Sequence, residues 1–390
     1  MPKYNSQKTQ KLKILDSFFR MFFFFKKWKK YPPINKKEVN EVLVLGMLLI
    51  GDTIMYIPVL RTIKKNFPFA KITLICGKTE KTILEEQGLI DEFILVKSPW
   101  ITYDYSLKNI INFFSTINII NKKYYDLAID FRGDWRNIFF MNFIHSTRKI
   151  SYNFTGGEYM LTDVIIPDKN INHFIEESFF LLKQIGCEFT ETDKLPVLNL
   201  TIDGYNYIST FKTQNNLENR LVIGVHPGAS QEVKKWDEKK YGDLIVKLSN
   251  AKNTSFFIIY EGPNERETVN QIEHILREKS IDYLVVNKPL KEYISLVSLC
   301  QLVICNDSGA AHIASAFSTP TIVIFGNVNP LFVSPYGSKN LSIISHNLEC
   351  KPCLQSVCKF GTNLCISSIT VEEVYNQAIN IIKFNENEYK

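Results

Sequence analysis

The chain has little of what marks fibrous, low-complexity or membrane-spanning proteins. Its 390 residues include only 17 Gly and 15 Pro, too few for a collagen-like or low-complexity sequence. No uncharged apolar run reaches the ~18 residues that a membrane-spanning helix needs. Hydrophobic residues make up 45% and charged residues 22% of the chain, which excludes an intrinsically disordered protein. The length instead predicts about two to three globular domains.

The body of the chain also lacks an excess of positive charge. Residues 1–37 hold eleven Lys or Arg and one Asp, a net charge of +10, which leaves −4 for the remainder. A mildly acidic body is not typical of a nucleic-acid-binding protein, so we expect no nucleic-acid partner.

The basic N-terminal segment is also aromatic. Residues 11–33 interleave lysines with Phe18, Phe19, Phe22, Phe23, Phe24, Phe25 and Trp28. Asp16 and Arg20 interrupt the run and no small-residue cleavage site follows, so we predict no signal peptide and a cytoplasmic protein. Two interpretations remain: a peripheral helix on the inner face of the cytoplasmic membrane, or a tail or helix packed on the body. Because the first strong strand begins at Val42, we expect removal of residues 1–37 to leave the fold intact.

Apolar strands alternate with helical segments along the chain. Val42–Leu45 indicates a buried strand and Thr53–Phe67 a helix. The alternation restarts after a polar, Asn-rich stretch near residues 200–219, which is typical of a linker. Such alternation predicts an α/β protein with two doubly wound, mostly parallel domains. The predicted organisation is a basic aromatic segment (1–40), an N-terminal domain (41–205), a C-terminal domain (219–345), and a Cys-rich loop with a final helix (346–390).

Polar or Gly-rich loops follow six of the predicted strands. Ligands of open parallel sheets bind beyond the carboxyl ends of the strands. The six loops therefore predict a cleft between the two domains; they are residues 46–52, 130–134, 226–236, 261–267, 306–312 and 326–330.

The most specific motif runs from Cys305 to His312 and follows a predicted strand. Asn306 and Asp307 lie at the end of the strand, and Ser308-Gly309 opens a helix. Free amides at a helix start favour an anion such as a diphosphate. The alternative is an ordinary N-cap made by Asp307 or Ser308.

Two further loops carry candidate chemistry. His226-Pro227-Gly228-Ala229-Ser230 precedes Lys234-Lys235-Trp236, and the Ser230 hydroxyl and the lysines suit phosphate oxygens. The alternative is a solvated charged loop. Asp52, in Ile50-Gly51-Asp52, suits either a general base or a helix N-cap.

These motifs, in this order and spacing, resemble the ADP-heptose:lipopolysaccharide heptosyltransferases of glycosyltransferase family 9. The resemblance covers roughly residues 41–385 and includes Phe325-Gly326, Pro330 and Pro335-Tyr336-Gly337. It implies a glycosyltransferase-B fold, two Rossmann-like domains facing a cleft. The acceptor would bind the N-terminal half and the ADP-sugar the C-terminal half, with inverting transfer and no catalytic metal.

The resemblance also implies roles for single residues. Asp52 falls on the family's general base and Lys234 on the lysine that holds donor phosphate. The segment Gly262 to Asn264 falls where the family contacts the nucleoside, often through an acid that Asn264 does not supply. A basic residue that usually precedes Ile-Gly-Asp is absent, so the basic contact to the acceptor is either missing or supplied by Arg132 or Arg136. The donor sugar and diphosphate are expected at Asp307, Ser308, Gly309 and His312.

Four of the eight cysteines cluster near the C-terminus. Cys350, Cys353, Cys358 and Cys365 have short spacings that suit one structural zinc or iron site with four thiolate ligands. The alternative is a loop of unpaired thiols. Disulfides are disfavoured in a reducing compartment, and the other four cysteines are typical of core residues.

Three functions remain open from the sequence. The first is transfer of heptose, or a related sugar, to a lipopolysaccharide core or a similar lipid-anchored glycan. The second is the same chemistry with another nucleotide-sugar, or with a protein acceptor such as an autotransporter. The third is a sugar-nucleotide-binding module without catalysis, which the presence of both Asp52 and Lys234 disfavours.

Overall fold

A computed structural model describes residues 6–21, 31–252, 254–353 and 356–388. The chain divides into two compact units, Met1–Leu195 and Pro196–Lys390. The boundary lies earlier than predicted, and the N-terminal segment and the final helix each belong to a unit. Each unit is an α/β layer structure around its own sheet.

The strands of the N-terminal unit are β1 Glu41–Leu45, β2 Lys71–Cys76, β3 Glu92–Leu95, β4 Tyr125–Asp130, β5 Ser146–Tyr152 and β6 Asp163–Ile165. They pair in the order β3-β2-β1-β4-β5-β6, and all pairs are parallel. Its helices are α1 Ser6–Arg20, α2 Ile50–Asn66, α3 Lys78–Leu84, α4 Pro99–Thr102, α5 Leu107–Ser115, α6 Ile117–Ile120, α7 Trp135–Asn142 and α8 Phe174–Gln184.

The C-terminal unit repeats this topology. Its strands are β7 Leu221–His226, β8 Ser255–Tyr260, β9 Tyr283–Val286, β10 Leu302–Asn306, β11 Thr321–Phe325 and β12 Leu341–Ser345. They pair in the order β12-β11-β10-β7-β8-β9, again all parallel. Its helices are α9 Ile202–Gln214, α10 Glu238–Ala251, α11 Arg266–Glu278, α12 Leu290–Leu299, α13 Gly309–Ala316, α14 Pro330–Val333, α15 Leu364–Ser367 and α16 Val371–Glu388.

The predicted pair of doubly wound domains is confirmed. The central strands are continuous apolar runs because helices cover both faces of each sheet: every side chain from Val42 to Leu45 and from Leu302 to Cys305 is buried. The strand order reverses between β1 and β4 in one sheet and between β7 and β10 in the other. Ligands of such sheets bind beyond the carboxyl ends of the strands at these reversal points.

The predicted linker is wrong over much of its length. Residues Ile202–Gln214 form α9, which packs against α12 in the C-terminal unit. The helix begins at the Thr201 cap, whose hydroxyl accepts a hydrogen bond from the Gly204 amide. A polar, half-exposed helix resembles a loop in composition, and for this reason the segment was predicted as a linker.

The N-terminal helix α1 packs on the N-terminal unit. Leu12 joins the hydrophobic core, and the Phe19 ring lies 5.4 Å from that of Trp135. The Asp16 carboxylate is buried and accepts a hydrogen bond of 2.7 Å from the Gly157 amide. The packed-helix alternative is therefore correct for residues 6–20, and these residues contribute contacts to the N-terminal unit. That the fold survives removal of residues 1–37 stays a prediction.

The rest of the basic aromatic run is outside the described residues. This applies to Phe22, Phe23, Phe24, Phe25, Lys26, Lys27, Trp28, Lys29 and Lys30. Among the helices that are described, none is both long and apolar enough to cross a bilayer.

Candidate active site

Asp52 and Arg132 meet at the reversal point of the N-terminal sheet. Asp52 lies in the first turn of α2, which follows β1, and Arg132 follows the neighbouring strand β4. The Arg132 Nη1 atom is 3.8 Å from Asp52 Oδ2, and it also donates to the Met47 carbonyl at 3.3 Å. The Asp52 side chain remains 33% exposed, so a substrate hydroxyl can reach this carboxylate.

Asp52 is not a helix cap. The N-cap of α2 is Leu49, and no side chain makes a capping hydrogen bond there. The capping alternative is therefore wrong, and the carboxylate is left for a contact outside the helix.

Asp130 stabilises the turn that carries Arg132. The sequence did not predict this structural role. Its buried carboxylate accepts hydrogen bonds from the Gly133 amide, the Asn137 side chain and the Ser151 hydroxyl. Burial raises its pKa, and these donors lower it. Gly133 has a φ of 60°, where a Cβ would also collide with Tyr152. In the sequence, the acid directly before Phe131-Arg132-Gly133 is the pattern that could have predicted this turn.

Glu80 supports the loop that leads into Asp52. It lies in α3 after β2, and its Oε2 accepts a 2.7 Å hydrogen bond from the Gly77 amide. A Cβ on Gly46 would approach Glu80 Oε1 to 2.5 Å, so the carboxylate rests directly against the β1–α2 loop. Burial raises the pKa of Glu80 to about 7, although the Gly77, Leu48 and Met47 amides lower it.

Arg136, the other predicted acceptor contact, is held by local partners. Its Nε donates to Asp134 Oδ1 at 2.8 Å, and its Nη1 donates to the Tyr105 hydroxyl at 3.3 Å. The guanidinium also lies over the Trp100 ring. The structure thus places Arg132, rather than Arg136, beside Asp52, and acceptor binding by either arginine stays a prediction.

Lys234 and Asp307 meet at the reversal point of the C-terminal sheet. Lys234 lies in the loop after β7, and Asp307 follows the neighbouring strand β10. The Lys234 Nζ donates to Asp307 Oδ2 at 2.6 Å, and both side chains are largely buried. The two predicted donor residues therefore form one ion pair, although 73 positions separate them.

Asn306 ties the two donor loops together. Its side-chain amide donates to the Pro227 carbonyl at 2.6 Å, and its Oδ1 accepts from the Trp236 amide at 3.0 Å. The Tyr241 hydroxyl also donates to Oδ1 at 3.0 Å. Because Asn306 is fully buried, these hydrogen bonds fix the loop that carries Lys234 relative to Asp307, the next residue in the chain.

The start of α13 has no side-chain cap. Ser308 occupies the N-cap position without a capping hydrogen bond, so the ordinary-cap alternative is wrong for this residue. Among the described contacts its buried Oγ has no hydrogen-bond partner. Gly309 opens the helix, and His312 is buried one turn later. Because no side chain caps these first amides, the start of α13 suits an anionic ligand.

A buried acid, Glu265, lies between the loop after β7 and the loop after β8. Its Oε2 accepts a 2.7 Å hydrogen bond from the Gly262 amide and lies 3.8 Å from His226 Nε2. A Cβ on Gly228 would overlap the carboxylate, so only glycine fits there. Burial lowers the pKa of His226, and Glu265 raises it. Sequence reasoning missed Glu265 because it looked for the acid at Asn264, one position earlier.

Asn264 and Ser230 are both exposed on these loops. Asn264 has a φ of 64°, in the left-handed region, and this forms the tight turn that places Glu265 behind it. Ser230 lies in the bend between β7 and Lys234. Donor contacts by either residue stay predictions.

The four clustered cysteines are free thiols in one segment of the C-terminal unit; three lie in a loop and Cys365 lies in α15. Cys365 is buried, and the other three are partly buried. Burial raises the pKa of Cys365, as do the nearby Cys353, Cys350 and Cys358 sulfurs. Backbone amides of residues 360–363 lower the pKa of Cys358. Within the described residues, no three His, Cys, Asp or Glu side chains converge as a metal site.

Known proteins resemble this chain over most of its length. The family described as glycosyltransferase family 9 (heptosyltransferase) matches residues 114–363. Lipooligosaccharide heptosyltransferase 2 of Campylobacter jejuni serotype O:2 is 26% identical over 340 residues, covering 86% of this chain and 96% of that protein.

Two solved structures share the fold. A glycosyl transferase family 9 protein from Veillonella parvula superposes with a TM-score of 0.75 at 20% identity, covering 90% of this chain and 99% of that one. The E. coli ADP-heptose lps heptosyltransferase II gives 0.71 at 21% identity, covering 89% and 99%. The predicted glycosyltransferase-B fold is thereby confirmed. Because the family match spans well over half of the chain, the protein belongs to glycosyltransferase family 9, the heptosyltransferases.

Proposed function

We propose that this enzyme transfers heptose from ADP-heptose to a lipid-anchored inner-core glycan, with inversion at the anomeric carbon. The observation that carries the proposal is that charged side chains lie at the reversal points of both sheets. An accessible carboxylate beside an arginine stands at one, and a buried Lys–Asp pair beside an uncapped helix start stands at the other.

The acid–base chemistry belongs to the N-terminal unit. Asp52 takes the proton of the acceptor hydroxyl as that oxygen forms a bond to the anomeric carbon. Arg132 orients the carboxylate and attracts anionic groups of the acceptor.

The leaving-group chemistry belongs to the C-terminal unit. The bond from the anomeric carbon to the ADP oxygen breaks, and its electron pair leaves with ADP. The Lys234 ammonium and the amides at the start of α13 stabilise this developing negative charge. Glu265 accepts hydrogen bonds from hydroxyl groups of the donor, in place of the acid expected near Asn264.

The acceptor class follows from the relatives. The Campylobacter protein is named for lipooligosaccharide, and the E. coli structure for lps and ADP-heptose. Such acceptors carry a lipid anchor, so we place the enzyme at the inner face of the cytoplasmic membrane.

Product assays separate this function from its alternatives. Calorimetric titration with ADP-heptose and ADP-glucose identifies the donor, and ADP release with a delipidated inner-core acceptor measures transfer. ADP release only with ADP-glucose, or only with a protein acceptor, would favour the second function. Binding of ADP-heptose without ADP release on any acceptor would indicate a binding module.

A structural metal is a separate proposal. Cys350, Cys353, Cys358 and Cys365 would hold one zinc or iron, since four thiolates form a closed tetrahedral site. The four sulfurs do not converge among the described residues, so metal binding would have to draw this segment together. The metal would join the loop to the final helices. Elemental analysis of protein from metal-replete cells is expected to find about one zinc or iron per chain, and less in Cys353→Ser. Four titratable thiols without metal would support the alternative.

A further inference from the structure

Helix α1 is apolar on two opposite sides. One side, with Leu12, Asp16 and Phe19, packs against the N-terminal unit. The other side bears Ile14 and Phe18 and continues into Met21, the residue directly after α1; these three are 67%, 55% and 68% exposed. Spacings of four and three residues place these three on one face of the helix. A helix that only packs on its own domain normally has a polar outer face.

The apolar surface continues beyond α1. Phe19 contacts Phe139 of α7 at 5.1 Å, and Phe139 contacts Phe143 at 5.1 Å. Phe143 contacts Phe114 of α5 at 6.2 Å. Phe143 is itself exposed, as is Ile111, which lies one turn before Phe114. The Phe18 ring on the exposed face contacts the Phe19 ring at 5.5 Å, which joins that face to this row of rings. We term the combined surface the aromatic ridge: Ile14, Phe18, Met21, Phe19, Phe139, Phe143, Phe114 and Ile111.

The helices that form the aromatic ridge carry mostly positive charge, and the acids beside it, Glu158 and Asp104, are paired with Arg20 and Lys97. The sequences of α5, α6 and α7 contain no Asp or Glu. The single acid of α1 is the buried Asp16, which faces the domain. Lys13 on α1 and Lys108 on α5 are exposed.

We propose that the aromatic ridge docks on an anionic phospholipid surface, with its rings at the acyl boundary and its lysines at the headgroups. Aromatic side chains favour the membrane interface, and lysines gain from negative lipids. A protein partner would need acidic complements, and a second copy of the same basic surface would repel the first. The inference deepens the proposed function, since it rests on an acceptor that is anchored in the same membrane.

Vesicle sedimentation of the full-length protein tests the docking surface. We expect pelleting with vesicles containing phosphatidylglycerol, weaker pelleting with phosphatidylcholine alone, and a decrease with added salt. The double variant Ile14→Ser/Phe18→Ser should lower the partition coefficient at least about tenfold, because two exposed apolar side chains no longer enter the interface. Lys13→Gln and Lys108→Gln should each lower it about fivefold at low salt.

A matched control comes from the C-terminal unit. Ile202→Ser/Leu331→Ser removes two apolar side chains of similar exposure, and it should pellet like the wild type. Circular dichroism verifies that each variant is folded. Unchanged pelleting of Ile14→Ser/Phe18→Ser, or an equal loss in the control, would overturn the proposal. So would a concentration-dependent dimer that this variant abolishes while vesicle binding persists.

The failure of docking and the failure of the proposed function are distinguishable. ADP release on a delipidated acceptor should be the same in Ile14→Ser/Phe18→Ser and wild type, because neither residue lies near Asp52 or Lys234 in sequence or in the described contacts. An enzyme that pellets normally but releases no ADP would refute the proposed function alone.

Discussion

Three carboxylates near the end of the N-terminal sheet have different environments. Asp130 is fully buried and saturated by three donors, and Glu80 is buried against the β1–α2 loop. Asp52 alone of these three keeps a partly exposed side chain. Two acids therefore shape the loops, and the third can meet a substrate. Of these three acids, Asp52 is the one that a substrate hydroxyl can approach, as the proposed general base requires.

Replacing Asp52 by Asn should therefore abolish proton removal while preserving shape. We expect kcat to fall about 10²–10⁴-fold, with little change in the Kd for ADP-heptose. Steady-state ADP release and calorimetry measure the two quantities. Asp203→Asn, an exposed acid in the first turn of α9, is the matched control. Near-normal turnover in Asp52→Asn would exclude the general-base role.

Glu80 should make stability depend on pH. Below its ordinary value of 4.5 the carboxyl is protonated in both states, but between 4.5 and about 7 only the folded state keeps the proton. The free energy of unfolding should therefore fall across this window by about 3 kcal/mol relative to Glu80→Gln, which has no proton to lose. Above pH 7 the difference should be constant.

Hydrogen exchange of the β1 peptide, compared between Glu80→Gln and wild type at pH 5 and pH 8, measures this dependence. Glu86→Gln, an exposed position just beyond α3, should show none. A difference that does not grow between the two pH values would refute the buried ionisation of Glu80.

At the scale of elements, the donor site depends on two loops and one helix start. The β7 loop brings Lys234, the β10 loop brings Asp307, and Asn306 holds both loops. Asp307, the partner of Lys234, comes directly before the N-cap of α13. An anion bound there would be stabilised by both the Lys234 ammonium and the amides at the helix start.

Lys234→Ala should raise the Kd of ADP by about 5- to 150-fold, the loss of one charge-assisted contact of 1–3 kcal/mol. The neighbouring Lys235→Ala, which loses only an exposed pair with Glu232, should bind ADP normally in calorimetry. The double variant Lys234→Ala/Asp307→Asn relieves the unpaired buried acid. Recovery of both stability and ADP affinity in that variant would show that Lys234 is merely structural.

The α1 helix should stabilise the N-terminal unit through Asp16. Asp16→Ala leaves the Gly157 amide without its 2.7 Å acceptor, so the free energy of unfolding should fall by about 1–3 kcal/mol. Urea denaturation followed by circular dichroism measures the change. Ser17→Ala, on the exposed side of the same helix, should have little effect. Equal stability of the two variants would mean that α1 packs without energetic consequence.

The whole molecule repeats one topology in two units. Each sheet has the same strand order and its own core, and the C-terminal core includes the final helix through Val374, Ala378 and Ile382. Compact units with separate cores can fold alone. Residues 196–390, expressed alone, should therefore fold cooperatively and bind ADP with an affinity close to that of the full chain. An unfolded or non-binding fragment would show that the donor site needs the N-terminal unit.

Local pattern made much of this protein predictable. The apolar runs at Val42–Leu45 and Leu302–Cys305 specify buried strands, and polar loops after strands mark the ligand edge. Both signals depend on neighbours in sequence. The partly polar strands β5, β6 and β12 were not predicted, because strands with exposed side chains resemble loops in composition.

Long-range contacts decided the rest. Amphipathic composition left α1 equally consistent with a tail, a membrane helix and a packed helix, until Asp16 met Gly157 across 141 positions. The pairing of Lys234 with Asp307, the support of Asp52 by Arg132 and Glu80, and the burial of Glu265 all join distant segments. The sequence by itself determined the fold class, the family motifs and the loops that bear chemistry. Only the tertiary structure decided which charged groups face one another, since such pairing depends on chain topology and burial rather than on local periodicity.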